Sequence, residues 1–324
     1  MSPRPPLALT LGDPAGIGPE IVVKAWRALR EQGPAFVVFG DPAALSDAPV
    51  ARVDAVADAA PVFSERLPVL DRPGPPAETR AGAIIRWIEQ AVALALAGEA
   101  SGVVTAPIAK ARLYEAGFRF PGHTEFLAEL TARAPMAGPR GPVMMLTAAD
   151  LRVALVTIHT PLAEVPRAVT AERVMHVARV THAALARDFG VARPRLAMAG
   201  LNPHAGEGGG IGREEIEVLA PAAAALRSEG IDISDPKPAD TLFHPEARRA
   251  YDAVICMYHD QALIPVKTID FWGGVNVTLG LPIVRASPDH GTGFDIAGRG
   301  IARPDSLIAA IRLADEIAAR RSAA

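Results

Sequence analysis

Short apolar segments alternate with longer segments of helical periodicity along most of the chain. Apolar runs at 7–11, 36–39 and 102–105 have the length of strands, whereas 17–30 and 80–96 repeat apolar positions at helical spacing. Strands that alternate with helices are typical of α/β folds. The pattern therefore predicts an α/β protein with buried, mostly parallel strands.

Two later segments modify this picture. Residues 48–78 are dominated by Ala, Val, Asp and Pro, which predicts an irregular, exposed connection with one short strand. Pro221 lies within a helical stretch that begins after Arg213. Because proline removes a helical hydrogen bond, we expect that helix to kink or begin again there.

Composition limits the class of protein. The chain has 324 residues, 50% of them hydrophobic, which is enough for one large or two ordinary domains. The net charge of −3 and the lack of a Lys/Arg block argue against nucleic acid or a membrane surface as partner. The lone Cys256 lies in an apolar run, which favours a buried core thiol over a nucleophile and fits the cytoplasm.

Three histidines each follow an apolar run of strand length: His159 follows 153–158, His204 follows 196–201 and His259 follows 254–258. If the runs are parallel strands, the imidazoles project at the carboxyl edge, where open α/β sheets bind ligands. Imidazoles favour borderline transition metals, and three of them leave coordination positions open for substrate. A single histidine is more often a hydrogen-bonded loop residue, but the repeated placement predicts a catalytic metal site.

Glycine-rich turns supply candidate binding loops. Residues 12–20 lie between a strand and a helix, so backbone amides there can receive an anion or a cofactor. None of the segments 12–20, 206–212 and 291–296 matches G-x-G-x-x-G, so no conventional Rossmann fingerprint is present. Residues 117–124 resemble a P-loop, but His123 replaces the required lysine, which argues against a nucleotide triphosphatase. His123 and Thr124 offer a titratable donor and a hydroxyl in this loop, which favours substrate contact over a plain turn.

Isolated polar residues add candidate chemistry. Lys267, Asn276 and Arg285 lie in an otherwise apolar stretch, where buried cations need an anionic partner such as phosphate or carboxylate. The alternative is that they are solvated loop residues. Asp240 is a candidate for orienting a metal-bound histidine, for general base catalysis or for capping a turn, and Lys110 is a second candidate base.

Five motifs carry a resemblance that spans nearly the whole chain, at 12–20, 120–125, 201–207, 257–261 and 275–282. In this order they resemble the 4-hydroxythreonine-4-phosphate dehydrogenase (PdxA) family of pyridoxal phosphate biosynthesis. The segment 289–302 is also similar to the adenine-side cofactor loop of isocitrate and isopropylmalate dehydrogenases. The resemblance implies two α/β/α domains of that type, which we place at 1–130 with 286–324 and at 131–285, with the active site in the interdomain cleft.

The resemblance also implies roles for individual residues. The implied metal ligands are His159, His204 and His259. The implied substrate contacts are His123, Thr124, Lys267, Asn276 and Arg285. The implied cofactor contacts are Gly12, His290, Gly291, Thr292 and Asp295. Members of the family are homodimers with a shared active site, so we expect metal ligands from both chains, one divalent ion (Zn, Co or Mg) per site, and NAD or NADP as cofactor.

The predicted reaction is oxidation of the C3 hydroxyl of 4-phosphooxy-L-threonine to 2-amino-3-oxo-4-phosphooxybutanoate, which decarboxylates to 3-amino-2-oxopropyl phosphate. Relatives with the same chemistry act on 4-phospho-D-erythronate, a threonate or a cyclic dihydrodiol dicarboxylate. A phosphate acyltransferase-like enzyme would need neither metal nor nicotinamide, and a metal-dependent hydrolase would leave the cofactor-like loop unexplained. A non-catalytic binding module fits the convergence of metal, anion and cofactor features least well.

Overall fold

The computed structural model describes residues 4–72, 74–75, 79–115, 117–120 and 122–323. Pro121, in the motif at 120–125, lies outside the described residues, as do residues 73 and 76–78 at the end of the predicted irregular connection.

Strands and helices alternate through both halves of the chain. The strands are β1 (Leu7–Thr10), β2 (Phe36–Phe39), β3 (Val50–Arg52), β4 (Leu67–Leu70), β5 (Val103–Thr105), β6 (Val143–Ala148), β7 (Leu151–Leu155), β8 (Arg195–Ala199), β9 (Asp232–Lys237), β10 (Ala253–Cys256), β11 (Val275–Leu279) and β12 (Arg285–Pro288). The helices are α1 (Gly18–Leu29), α2 (Ala59–Val62), α3 (Arg80–Leu96), α4 (Lys110–Glu115), α5 (His123–Thr131), α6 (Val165–Ala168), α7 (Ala171–Phe189), α8 (Ala220–Ser228), α9 (Pro245–Arg248), α10 (His259–Ile269) and α11 (Asp305–Ala323). This alternation confirms the predicted α/β class.

The described chain divides into two compact units. Unit 1 comprises the described residues up to Pro135 together with Leu281–Ala323, and unit 2 comprises Met136–Gly280. Among the described residues, no helix is long and apolar enough to cross a bilayer.

Unit 1 is built on a parallel sheet with strand order β3-β4-β2-β1-β5-β12. Strands β1, β2 and β4 are buried at every position, as expected for parallel strands covered on both faces. Helix α3 packs on β1 and helix α11 packs on β12. Because all these strands run the same way, their carboxyl ends share one edge of the sheet.

The prediction of an irregular connection with one short strand at 48–78 was wrong. Two strands of this region, β3 and β4, pair in parallel, and β4 also pairs with β2. The apolar segment Leu67–Leu70 is fully buried although Pro68 lies within it. Strand β4 is paired on both sides, but its register with β2 begins at Val69, one residue after Pro68. The proline therefore lies near the start of the strand, where a missing N–H is tolerated.

Unit 2 contains a mixed sheet with strand order β11-β6-β7-β10-β8-β9. Strand β6 is antiparallel to both β7 and β11, whereas β7, β10, β8 and β9 are mutually parallel. The hydrophobic core of the unit includes Val153, Val254 and Cys256. The thiol of Cys256 is completely buried, and burial raises its pKa, which confirms the prediction of an unreactive core cysteine.

The prediction for Pro221 is confirmed. A π-helical turn at Glu215–Leu219 ends where α8 begins, and Pro221 lies in the first turn of α8. An interior N–H is not needed at that position, so the proline costs no hydrogen bond. The π-helical turn therefore separates Glu215 from the regular helix.

Candidate active site

Strands β7, β10 and β8 are neighbours in unit 2, and each precedes one of the predicted metal ligands. Val254 pairs with Val153 of β7 and with Ala197 of β8, in parallel in both cases. The segments that carry His159, His204 and His259 therefore leave the sheet at the same edge. This arrangement agrees with the edge predicted from the apolar runs.

His159 and His259 lie beside one another. Their ring centroids are 5.9 Å apart, and Nδ1 of His259 lies 2.8 Å from Oδ1 of Asp260. A carboxylate at Nδ1 orients the ring and leaves Nε2 as the free nitrogen, the usual arrangement of a metal-binding histidine. The donor set of this pair fits a borderline divalent ion.

His204 occupies a different local environment. Its side chain is 75% exposed, and Nδ1 lies 3.2 Å from the Glu207 carboxylate. The backbone from His204 to Gly208 has positive φ at every residue, between 45° and 80°. Left-handed backbone costs residues with a side chain roughly 1–2 kcal/mol each, so His204, Ala205 and Glu207 form a strained turn.

The three histidines do not form a metal site within one chain. Among the described residues, no group of three or more His, Cys, Asp or Glu side chains is arranged to hold a metal ion. The structure therefore brings His159 and His259 together at the edge and leaves His204 on the exposed turn.

Two buried side chains fix the strand ends beneath these histidines. The Gln261 amide donates to the Gly200 carbonyl, which follows β8, and accepts from the Met257 N–H, which follows β10, both at 2.7 Å. The Thr157 hydroxyl donates to the Met257 carbonyl at 2.7 Å, which joins the segment after β7 to the same place. The three loop origins are therefore fixed relative to one another by hydrogen bonds rather than by apolar packing alone.

Unit 1 contains a cationic cluster. The Arg285 guanidinium, on a residue only 2% exposed, donates to the Thr105 hydroxyl at 2.7 Å. The pKa of His123 is held well below its usual value, chiefly by burial and further by the positive charges of Arg285 and Lys110. The negative charge of Glu125 also acts on Arg285, so the cluster contains two cations, one carboxylate and an imidazole of lowered pKa. The cations outnumber the carboxylate, which favours a bound anion.

The remaining predicted substrate and catalytic residues have distinct settings. Thr124 is half-buried in the first turn of α5, and Lys267 lies in the last turn of α10 with Nζ 5.1 Å from the Phe271 ring centroid. Asn276 is half-buried on β11, and its buried Oδ1 has no hydrogen-bond partner among the described residues. Asp240 is exposed in a 3₁₀ turn.

The predicted cofactor loop is fastened to α1 within unit 1. The Ile17 N–H donates to the Thr292 carbonyl at 2.8 Å, and Lys24 donates to the carbonyls of Gly300 and Ala302. The Glu20 carboxylate accepts from the Ala302 N–H at 2.7 Å. These contacts close both ends of the loop onto the Gly12–Gly18 turn and the helix that follows it.

Within the loop, the predicted contacts remain accessible. Gly291 and Asp295 are exposed, and His290 Nδ1 lies 3.1 Å from the Gly291 carbonyl. Gly12 has φ of +73°, and a Cβ at that position would lie 2.3 Å from the Pro107 carbonyl oxygen. The turn is therefore closed to any residue larger than glycine, because its backbone packs directly against the Pro107 carbonyl.

Some residues of these sites were not predicted from the sequence. Thr105 is the last residue of an apolar strand, and its hydroxyl accepts a hydrogen bond from Arg285, 180 positions later in the chain. No local sequence pattern indicates a contact over that distance. Gln261 does lie in the motif at 257–261, so the motif is the signal that could have identified it. Glu215 is in an ordinary charged helical stretch, and nothing in its neighbourhood marks it as buried.

Comparisons with known proteins agree with the motif analysis. The sequence model of a family described as "Pyridoxal phosphate biosynthetic protein PdxA" matches residues 32–314. A Caulobacter vibrioides protein named 4-hydroxythreonine-4-phosphate dehydrogenase is 66% identical over 327 residues, covering 98% of each chain. The crystal structure of 4-hydroxythreonine-4-phosphate dehydrogenase from Klebsiella pneumoniae has a TM-score of 0.83 at 39% identity and covers 97% of this chain and 99% of its own.

A relative with another named substrate is also similar. The terephthalate 1,2-cis-dihydrodiol dehydrogenase from Burkholderia xenovorans has a TM-score of 0.64 at 30% identity, covering 96% of this chain and 98% of its own. The resemblance inferred from the five motifs is confirmed by the family match and by the highly identical relatives. The chain therefore belongs to the family of the pyridoxal phosphate biosynthetic protein PdxA, whose similar members are named dehydrogenases.

Proposed function

We propose that this protein oxidises the C3 hydroxyl of 4-phosphooxy-L-threonine in pyridoxine 5′-phosphate biosynthesis, with NAD or NADP and a divalent metal ion. The product, 2-amino-3-oxo-4-phosphooxybutanoate, is a β-keto acid that loses carbon dioxide to give 3-amino-2-oxopropyl phosphate. The names of the similar proteins from Caulobacter and Klebsiella support this substrate.

The cationic cluster of unit 1 is the observation that carries the proposal furthest. Arg285 is buried, and the pKa of His123 is lowered first by burial and then by the positive charges of Arg285 and Lys110. A phosphorylated amino acid offers the anionic groups that such a cluster binds. In this proposal Arg285 binds an anionic substrate group, while His123 and Thr124 donate or accept hydrogen bonds without adding charge.

The histidines of unit 2 are proposed as the metal site. His159 and His259 would hold the ion through their ring nitrogens, and Asp260 would keep the His259 ring oriented. When bound, a divalent ion supplies a positive charge that stabilises negative charge on a substrate oxygen. His204 completes the set of ligands, and we propose that the set is assembled from two copies of the chain in a homodimer.

The loop at 289–302 and the turn at Gly12 are proposed to hold the dinucleotide. Gly12 lets the turn before α1 pack directly on the Pro107 carbonyl, which fixes the backbone of that turn beside the loop, and His290, Gly291, Thr292 and Asp295 would provide polar contacts along the loop. When bound, the nicotinamide accepts the hydride removed from C3. Lys267 and Asn276 are proposed to orient the substrate, because the buried Asn276 Oδ1 needs a donor that the described chain does not supply.

The hydroxyl proton needs an acceptor, for which we propose two candidates. Lys110 belongs to the cationic cluster, and Asp240 is an exposed carboxylate in unit 2. The variants Lys110→Met and Asp240→Asn separate them. A general base acts only when it is deprotonated, so kcat increases as the pH rises through its pKa, and the variant that lacks the base loses this increase. The other variant keeps that limb of the profile.

The first test is formation of reduced cofactor by the purified protein. The substrates 4-phosphooxy-L-threonine and 4-phospho-D-erythronate are each tested with NAD and with NADP, before and after chelation. We expect turnover of the threonine compound that is lost on chelation and restored by Zn²⁺, Co²⁺ or Mg²⁺. His204→Ala should abolish turnover, whereas His244→Ala, at the start of α9 outside the proposed site, should retain it. Full turnover by metal-free His204→Ala would exclude the metal mechanism.

A second candidate substrate comes from the similarity to the Burkholderia xenovorans dihydrodiol dehydrogenase. A cyclic cis-dihydrodiol dicarboxylate is also anionic, so the cluster around Arg285 suits it equally well. Including this compound in the same assay decides the matter. If only the dihydrodiol is turned over, the proposed metal- and nicotinamide-dependent oxidation stands, and the proposed role in pyridoxine 5′-phosphate biosynthesis is wrong.

The shared metal site has its own test, in which pairs of inactive variants are co-expressed. When two of the variants His159→Ala, His204→Ala and His259→Ala affect ligands donated by different chains, each heterodimer regains one intact site and about half the wild-type activity. If no pair complements, the shared site is excluded. Sedimentation of the wild-type protein as a monomer would exclude it as well.

A further inference from the structure

We infer that Glu215 is a positioning residue that holds the strained turn at 204–208 in place, and with it the side chain of His204. The inference rests on the proposed metal site, to which His204 contributes. It concerns a carboxylate on a different element, at the start of the π-helical turn Glu215–Leu219.

The Glu215 carboxylate is buried and accepts three hydrogen bonds from the beginning of the loop. The residue is 3% exposed, and Oε1 accepts from the N–H groups of Leu201 and Asn202 at 2.7 and 2.8 Å. Its Oε2 accepts from Nδ2 of Asn202 at 3.0 Å. A buried carboxylate is stable only when it is paired in this way, so its position and that of the loop determine each other.

The same carboxylate also touches the middle of the turn. A Cβ on Gly206 would lie 2.7 Å from Glu215 Oε2, so backbone and carboxylate are packed without space for another atom. Glu215 therefore contacts the chain both before His204, at residues 201–202, and after it, at Gly206. His204 is enclosed between two points of contact with one side chain.

The conformation of the turn explains why an external tether is needed. Residues 204–208 are all left-handed, and three of them carry side chains. Such runs do not persist without surrounding structure that fixes them. The described hydrogen bonds of His204 itself do not fix it, because its ring is exposed and its carboxylate neighbour, Glu207, belongs to the same turn.

The π-helical turn determines the direction in which the Glu215 side chain leaves its helix. π-helical turns inside α-helices are rare and shift the side chains that precede them out of the regular helical phase. Here the neighbouring Glu214 accepts from Asn202 Nδ2 at 2.7 Å, while Glu217 pairs with Arg213 at the surface. Only Glu215 of these three acidic residues is buried against the loop.

The test compares Glu215→Gln with Glu217→Gln, its exposed neighbour on the same turn. Glutamine keeps the shape, but its NH₂ group replaces one acceptor oxygen and opposes a donor of the loop. Three quantities are measured on full-length apoprotein: hydrogen exchange of the Leu201 and Asn202 amides, Co²⁺ affinity by calorimetry, and the visible absorption of bound Co²⁺. For Glu215→Gln we expect faster exchange at both amides and a loss of Co²⁺ affinity of about 10- to 100-fold. Glu217→Gln should match wild type in all three.

The outcomes separate this inference from the proposed function. If wild type binds Co²⁺ and Glu215→Gln binds it equally well with unchanged amide exchange, the positioning role is overturned and the metal site stands. If wild type binds no Co²⁺ as a dimer, the metal site fails and the inference fails with it. Should Glu215→Gln not fold, Asn202→Ala decides, because it removes only the side-chain donor and should loosen the same amides to a smaller degree.

Discussion

Arg285 and Thr105 join two neighbouring parallel strands of unit 1 through a buried hydrogen bond, from Nη2 to the hydroxyl oxygen at 2.7 Å. Burial lowers the pKa of the guanidinium to about 10, an effect that the negative charge of Glu125 partly offsets. Arg285 therefore remains charged at neutral pH although almost no water reaches it. A permanently charged, buried guanidinium of this kind can form an ion pair with an anionic group of a substrate.

Replacing Arg285 by methionine should weaken substrate binding selectively. Hydrogen bonds to charged groups are worth about 1.5–3 kcal/mol, so we expect KM for the phosphorylated substrate to rise on the order of 10- to 100-fold. Thr105→Val should have a smaller effect in the same direction, because it removes only the orienting hydroxyl. Steady-state kinetics measure both, and Arg179→Met, in the exposed pair with Glu229, is the control. An unchanged KM in Arg285→Met would remove Arg285 from the substrate site.

His123 should make the protein sensitive to mild acid. Its folded-state pKa lies well below the ordinary value of 6.5, through burial first and the charges of Arg285 and Lys110 second. Just below pH 6.5 the His123 imidazole is therefore protonated in the unfolded chain and still neutral in the folded chain. The free energy of unfolding decreases as the pH falls through that window, by at most about 1.4 kcal/mol per pH unit, and is unaffected above it.

Urea unfolding of wild type and His123→Gln between pH 5 and pH 8 measures this effect. The variant should lose less stability than wild type on going from pH 7 to pH 5.5. His244→Gln, at the start of α9, is the control and should follow wild type. Parallel curves for wild type and His123→Gln would contradict a depressed pKa at His123.

The strands and the edge that carries the histidines were predictable because both follow from local pattern. Apolar runs of four or five residues are buried strands here, and parallel strands put their carboxyl ends together, so the placement of His159 and His259 followed. The turn at His204 was not predictable, because left-handed backbone at His204 and Ala205 goes against their intrinsic preference and depends on Glu215. Tertiary contacts decided that segment.

Two other features also differ from the sequence prediction because they depend on tertiary contacts rather than on local pattern. Only one short strand was predicted at 48–78, where the structure has β3 and β4. Pro68 disfavours a strand at 67–70, and the pairing of β4 with β2 and β3 outweighs that preference. The contact of Arg285 with Thr105 joins residues 180 positions apart, and only the assembled sheet brings them together. The motifs predicted candidate site residues, whereas the hydrogen-bond partners of those residues became visible only in the fold.

Gln261 should contribute to stability and to metal binding at once. Gln261→Leu keeps the volume but leaves the Gly200 carbonyl and the Met257 N–H buried without a partner. Two such groups should cost about 2–5 kcal/mol of unfolding free energy, and the loosened strand ends should weaken Co²⁺ binding. Urea unfolding and calorimetry measure the two effects. The control is Gln32→Leu at an exposed position, and an equal response of both variants would argue against a bridging role.

Gly12 and Gly98 offer a matched pair for testing the closed turn before α1. Both have nearly the same left-handed φ, +73° and +74°, but a Cβ at Gly12 would meet the Pro107 carbonyl at 2.3 Å, whereas one at Gly98 would meet nothing within 4 Å. Gly98→Ala should therefore lower the unfolding free energy by about 1–2 kcal/mol from backbone strain alone. Gly12→Ala should lose about 1–3 kcal/mol more from overpacking and should also raise KM for the dinucleotide, which Gly98→Ala leaves unchanged. Urea unfolding and cofactor titration measure the two quantities, and equal losses in the two variants would show that the carbonyl moves aside without cost.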